Sequence, residues 1–144
     1  MIAIDTNLLV YAHRSDCEWN EPAYACIARL ATGAWSIPWP CLYEFTAVVT
    51  HPRIWDPPST LAQAIDQIEA WLESPGLVLL TEHEAHWPVL RAALEAGRIV
   101  GPRVHDARIA ALCQSHHVRE LWTADRDFGR FPELRVRNPL TEPA

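Results

Sequence analysis

The opening run MIAID constrains the fold more than any other stretch of the chain. Its apolar residues follow one another without polar alternation, so a strand here must be covered on both faces, as strands of parallel sheets are. Four further segments read as strands: Ala34–Trp39 (AWSIPW), Leu77–Leu80, Val118–Thr123 (VRELWT) and Leu134–Arg137. Helical patterns lie between them. Asn7–His13 starts one helix, Pro22–Thr32 continues helically behind an Asn20 cap with Gly33 as its stop, and Cys41–Thr50 follows the second strand. Thr60–Glu73 opens with the capping box Thr60-x-x-Gln63 and puts Leu61, Ala64, Ile65, Ile68, Trp71 and Leu72 on one face. Thr81-x-x-Glu84 is a second such box, predicting a helix to about Ala96 with Gly97 ending it, and His105–Ser115 is the last helix. His51–Ser59 (HPRIWDPPS) and Arg98–Arg103 read as loops. This alternation predicts an α/β fold, a three-layer α/β/α sandwich on a mostly parallel five-stranded sheet. With 144 residues and no repeat or linker, residues 1–144 are expected to form one domain.

Four acids stand where burial disfavours them. Glu44 is the sole ionised side chain between Leu30 and Pro52, and it shares a helical face with Cys41, Phe45 and Val48. Asp106 likewise shares a face with Ile109, Ala110 and Cys113. Asp5 ends the first strand and Asp125 follows the fourth, at the carboxyl ends where open parallel sheets bind ligands. Each has a plainer alternative. Strand-end aspartates cap helices or make turns, a first-turn acid gains about 0.3–1 kcal/mol from the helix dipole, and a buried arginine would pair with Glu44. Together, the four converge on one rim. Two carboxylates ~4 Å apart repel by roughly 4 kcal/mol at an effective dielectric near 20, so such a cluster needs shared protons or a cation. Oxygen-only ligands suit Mg²⁺ or Mn²⁺ better than zinc.

Composition narrows the chemistry further. All 12 basic residues are arginine, which excludes a phosphate-loop lysine, a Schiff base and a lysine general base. The 5 glycines are dispersed, so there is no Gly-rich phosphate cradle. A phosphatase of the haloacid-dehalogenase type needs Asp-x-Asp after strand one, and Asn7 stands at the second position; a receiver domain fails on the missing lysine. Net charge −6 disfavours long-range attraction to nucleic acid. Cys17, Cys26, Cys41 and Cys113 make no C-x-x-C pair and are expected as free thiols, the last three buried. The histidines offer no zinc-binding spacing and read as structural. No apolar run reaches the roughly 18 residues of a membrane span, and Met1 leads straight into a strand without a signal peptide, so a cytoplasmic protein is expected.

The motifs IDTNLLVYA, the isolated glutamate of YEF, HDARIAALC and WTADRDFGRFP, in that order over nearly the whole chain, resemble the four signatures of PIN-domain ribonucleases, and most of all the VapC toxins of bacterial toxin–antitoxin pairs. The resemblance implies strand order 3-2-1-4-5 and an active site of Asp5, Glu44, Asp106 and Asp125, with Asp127 as a possible additional acid. It also implies Mg²⁺ (or Mn²⁺) held by Asp5 and Asp106, hydrolysis of RNA such as tRNA or rRNA to 5′-phosphate and 3′-hydroxyl ends, a VapB-type antitoxin partner and a homodimer. Arg14, Arg108 and Arg126 are the candidate RNA contacts, with Arg53, Arg98, Arg103 and Arg130 as further loop cations. Trp55, in its proline-rich loop, is expected to be exposed for stacking on a base. The competing reading is a PIN-like module that binds protein without catalysis.

Overall fold

The computed structural model describes residues 1–142. Five parallel strands form one sheet: β1 (Ile2–Ile4), β2 (Trp35–Pro38), β3 (Leu77–Leu80), β4 (Glu120–Trp122) and β5 (Arg135–Arg137), in the order β3-β2-β1-β4-β5. β2 is buried at all four positions, as a central strand covered on both faces must be. The expected strands are present, β3 with the bounds expected and the other four shorter, since only residues in register with a neighbour complete the ladder: Ile2, Ala3 and Ile4 of β1 sit opposite Glu120, Leu121 and Trp122 of β4. The helices are α1 (Thr6–His13), α2 (Asn20–Leu30), α3 (Trp39–Val49), α4 (Leu61–Leu72), α5 (His86–Gly97) and α6 (Val104–Ser115). α1 packs on α2 and α3, α3 packs on α4, and α5 packs on α6, giving the two helical layers of an α/β/α sandwich. Phe45 and Trp71 join α3 to α4 edge-on, with ring centroids 4.9 Å apart.

Where a strand must pass close to a turn, glycine is required. A Cβ on Gly76 would lie 2.0 Å from the Gly33 carbonyl oxygen, while the Gly76 carbonyl accepts from Trp35 N–H to start the β2–β3 pairing. The Trp35 indole N–H then donates to Ser74 Oγ at 2.9 Å, so the buried ring leaves no orphan donor.

Three local expectations fail for tertiary reasons. The Thr60–Gln63 capping box forms with both bonds, but Thr81 caps nothing. Its carbonyl oxygen is 2.9 Å from His116 Nε2 at the end of α6, and Glu82 pairs with Arg108, so α5 starts only at His86. Asn20 does not cap α2 either. It is the first residue of that helix, and its side-chain amide donates to the carbonyls of Tyr11 and Ala12, closing the end of α1. Gly97 is the last residue of α5 rather than its stop; Arg98 takes the left-handed conformation, with φ 50°.

Candidate active site

The strand order reverses at β1. After β1 the chain builds outward through β2 and β3, then crosses back to place β4 on the opposite side. Such a switch point leaves a crevice beyond the carboxyl ends of the two diverging strands. Here it is a cleft of about 770 Å³, and Asp5, Glu44, Asp106 and Asp125 all line it. Asp5 arrives from the end of β1, whose backbone N–H donates to the Trp122 carbonyl at 3.0 Å. Glu44 comes from α3, Asp106 from the first turn of α6, and Asp125 from the loop after β4.

Asp5 is buried and fully occupied. It caps α1, with Oδ1 accepting from Thr6 N–H at 2.8 Å and, weakly, from the Cys41 thiol at 3.6 Å. Oδ2 accepts from the Thr123 hydroxyl at 2.7 Å and from the Asn7 amide at 3.4 Å. Capping and cleft-lining therefore coincide in one residue. Burial pushes its carboxyl up to about 6; the Thr123 and Thr6 bonds work against that shift, and the charge of Glu44 adds to it. The same burial raises the thiols of Cys41 and Cys113, the latter to about 12, which keeps both protonated at neutral pH in the metal-free protein.

Glu44 corrects the sequence reading: it is exposed, not turned into the core. α3 carries two adjoining stripes. Cys41, Phe45 and Val49 are wholly buried, while Pro40, Tyr43, Glu44, Ala47 and Val48 face the cleft. The apolar run is thus divided between core and cleft, and Glu44 lies on the open side. Its Oε2 accepts from the Thr6 hydroxyl at 3.3 Å. Asp106 is half-buried, and burial raises its carboxyl, with the charges of Asp125, Asp127 and Glu44 adding to the rise and Arg103 opposing it. Asp125 caps a 3₁₀ turn (Arg126–Arg130), its Oδ1 accepting from Asp127 N–H at 2.9 Å. Asp127 does not line the cleft and pairs with Arg103 at 3.2 Å.

Two polar residues of the motifs were passed over as contributors to the site. Asn7 donates to Thr123 Oγ1 at 3.1 Å and accepts from Ala124 N–H at 3.1 Å, while Asp125 N–H donates to Thr123 Oγ1 at 3.0 Å. These bonds lock the segment that carries Asp125 onto α1. Their only mark in the sequence is their place inside DTN and WTAD.

The cationic candidates are placed otherwise. Arg14 is buried away from the acids, donating to Asp16, to Ser59 Oγ at 3.2 Å and to the Pro57 carbonyl at 2.9 Å. Its guanidinium covers the Trp55 ring at 4.6 Å, so Trp55 is half-buried rather than free. Arg108 lines the cleft but is paired with Glu82. Arg126 is exposed and lines a neighbouring hollow rather than the cleft.

None of the four acids forms an ion pair among the described residues, so the arrangement leaves several carboxylate oxygens facing one space. No group of three or more His, Cys, Asp and Glu side chains among the described residues is arranged as a ready-made metal cage.

The model of the PIN-domain family matches residues 2–134. Ribonuclease VapC43 of Mycobacterium tuberculosis H37Rv is 33% identical over 142 residues, covering 97% of this chain and 96% of its own. Ribonuclease VapC48 of the same strain is 29% identical over 139 residues, 95% and 96% of the two chains. Among solved structures, VapBC2 from Rickettsia felis, bound to a DNA fragment from its promoter, superposes with TM-score 0.68 at 23% identity, covering 96% of this chain and 98% of its own. VapC20 of Mycobacterium tuberculosis, a toxin that cleaves the sarcin–ricin loop, gives TM-score 0.63 at 15% identity over 90% and 93%.

Proposed function

The chain belongs to the PIN-domain family, and we propose that within it the protein is an endoribonuclease, the toxin of a toxin–antitoxin pair, hydrolysing RNA phosphodiester bonds with the help of a divalent metal. The observation that supports this most is the gathering of Asp5, Glu44, Asp106 and Asp125 in one cleft at the sheet's switch point, without an arginine partner on any of them. The relatives VapC43 and VapC48 bear the name ribonuclease.

The carboxylate oxygens of the four acids suit Mg²⁺, or Mn²⁺ in its place, and Asp5 and Asp106 are the residues proposed to hold it. When bound, the ion supplies Lewis-acid polarisation of a phosphoryl oxygen and makes water a better nucleophile at neutral pH. The protein's part is orientation and proton handling. Asp5 is set in place beforehand by Thr6 N–H and the Thr123 hydroxyl, and the longer contacts from the Cys41 thiol and the Asn7 amide are the ones a cation would displace. Glu44, at the open side with one oxygen held by Thr6, takes a proton from the attacking water on its other oxygen. Asp125, on the segment pinned by Asn7 and Thr123, orients that water. Water attacks phosphorus in line, the P–O3′ bond breaks, and O3′ takes a proton from solvent to leave as the hydroxyl while Glu44 returns its own to solvent, giving a 5′-phosphate on the other fragment.

A VapB-type antitoxin is the proposed silencing partner, with homodimerisation and a cytoplasmic setting as parts of the same reading. No helix among the described residues is long and apolar enough to cross a membrane. Mapping new 5′ ends in RNA exposed to the purified protein tests the proposal. Cleavage should stop with EDTA and in Asp5→Asn or Asp106→Asn, and cleavage persisting in both variants rejects it.

A further inference from the structure

The cleft does not end at its acids. It continues into a wall that includes Tyr11, Tyr43, Val48, Ile54 and Trp55, which the hydrolysis above leaves without a task. Tyr43 is 63% exposed and Ile54 53%, a large apolar area to leave in water beside four carboxylates. Tyr43 is the neighbour of Glu44 on α3, so ring and carboxylate face the same space from adjacent positions.

The wall is fixed in advance. Trp55 lies under the Arg14 guanidinium, and Arg14 is itself tied to Pro57 and Ser59. His13 Nε2 meets Ser59 Oγ at 2.9 Å and His13 Nδ1 meets Gln67 Oε1 at 3.1 Å, tying the loop of residues 51–59 to α1 and α4. A loop held by this many polar contacts presents its side chains without an ordering cost at binding.

Charge decides what such a wall is for. RNA binding usually draws on phosphate contacts with free cations. Here the one arginine lining the cleft, Arg108, is paired with Glu82, and Arg103 nearby is paired with Asp127. Without a bound cation the acids repel phosphate, and a divalent ion there serves the scissile group alone. Affinity for the flanking nucleotide must then come from faces rather than charges, and aromatic faces supply it through stacking. We infer that this wall is a stacking subsite for the unpaired nucleobase flanking the scissile phosphate, with Tyr43 as its platform and Ile54 as its edge. The inference rests on the RNA-cleaving reading above and adds the residues that hold the base beside the cut.

The test uses the full chain in an Asp106→Asn background with Mg²⁺, and the anisotropy of a labelled single-stranded oligoribonucleotide of roughly eight nucleotides, within the usual site size. Tyr43→Ala should weaken binding about 5- to 150-fold, the range set by ~1–3 kcal/mol per lost stack. Tyr43→Phe should stay within about twofold, because the ring and not the hydroxyl is used. Ile54→Ser should weaken binding in the same direction, and melting curves should show all three variants folded, since both positions are exposed. Raising salt from 50 to 200 mM should cost less than about tenfold, against the thousandfold or more of phosphate-driven binding. Unchanged affinity in Tyr43→Ala, while the parent protein cuts RNA normally, overturns the subsite alone. So does a Tyr43→Ala protein that keeps RNA affinity and loses only a peptide partner. A parent that neither binds nor cuts RNA overturns the subsite and the proposed function together.

Discussion

Replacing Asp5 by asparagine should abolish cleavage and yet leave the metal-free protein folded, with a stability difference from the parent that changes with pH. The carboxyl of Asp5 rises from 3.8 to about 6 on folding, so holding it ionised at neutral pH costs the folded state about 3 kcal/mol relative to the unfolded chain. Asparagine removes that cost and remains an equally good helix cap. It brings one conflict. With its oxygen accepting from Thr6, its amide faces Thr123 Oγ1, which already accepts from Asn7 and from Asp125 N–H. The Thr123 hydroxyl, which donates to Asp5 Oδ2 in the parent, loses its acceptor as well. Two unsatisfied donors at about 1–3 kcal/mol each leave a net change between a gain of about 1 and a loss of about 3 kcal/mol at pH 7.5. For a chain of this length that moves Tm by a few degrees up to about ten degrees down, at about 2–4 °C per kcal/mol. The pH dependence is the sharper signature. Because the folded-state value is the higher one, the contribution of Asp5 to parental stability is full below about pH 3.8 and is lost as pH rises through about 6. Relative to the parent the variant should therefore lose roughly 2 kcal/mol as pH falls from 7.5 towards 4, with the parent the more stable at the acid end. Urea unfolding in EDTA across that range measures it. A variant destabilised by more than about 1 kcal/mol at pH 7.5, with no change in the difference down to pH 4, would mean that Asp5 carries no unfavourable charge and would refute the reasoning.

Two further perturbations test the frame around the site. Arg14→Ala removes hydrogen bonds to Ser59 and to the Pro57 carbonyl and uncovers Trp55, and should cost about 2–4 kcal/mol in urea unfolding; a loss under about 0.5 kcal/mol would mean that the loop stands without it. Gly76→Ala places a methyl 2.0 Å from the Gly33 carbonyl oxygen, which only backbone movement can relieve, so a loss of at least about 1–3 kcal/mol is expected, with exchange protection reduced first where β2 meets β3.

Much of this protein was legible in its one-dimensional pattern, because the forces involved act over a few residues. The unbroken apolar run at the start marked a buried parallel strand, the Thr60-x-x-Gln63 box marked the start of α4, and Cys26, Cys41 and Cys113 are buried free thiols as expected. The anomaly of charge at Asp5, Glu44, Asp106 and Asp125 was visible without a structure, and all four line the same cleft. What long-range packing decided was which side each residue faces and which partner reaches it. Periodicity shows that α3 has an apolar face, but the cleft cuts that face in two, and only the assembled layers put Glu44 on the solvent side. Arg14 was a candidate for phosphate until residues about forty positions later, Pro57 and Ser59, came to meet it. Thr81 and Asn20 had local capping chemistry that stronger distant partners, His116 and the carbonyls of Tyr11 and Ala12, took over. Asp125 lines the cleft while Asp127 turns to Arg103, a distinction that two acids in one short motif do not carry. A polar side chain takes the best partner within reach, and reach is a property of the folded chain.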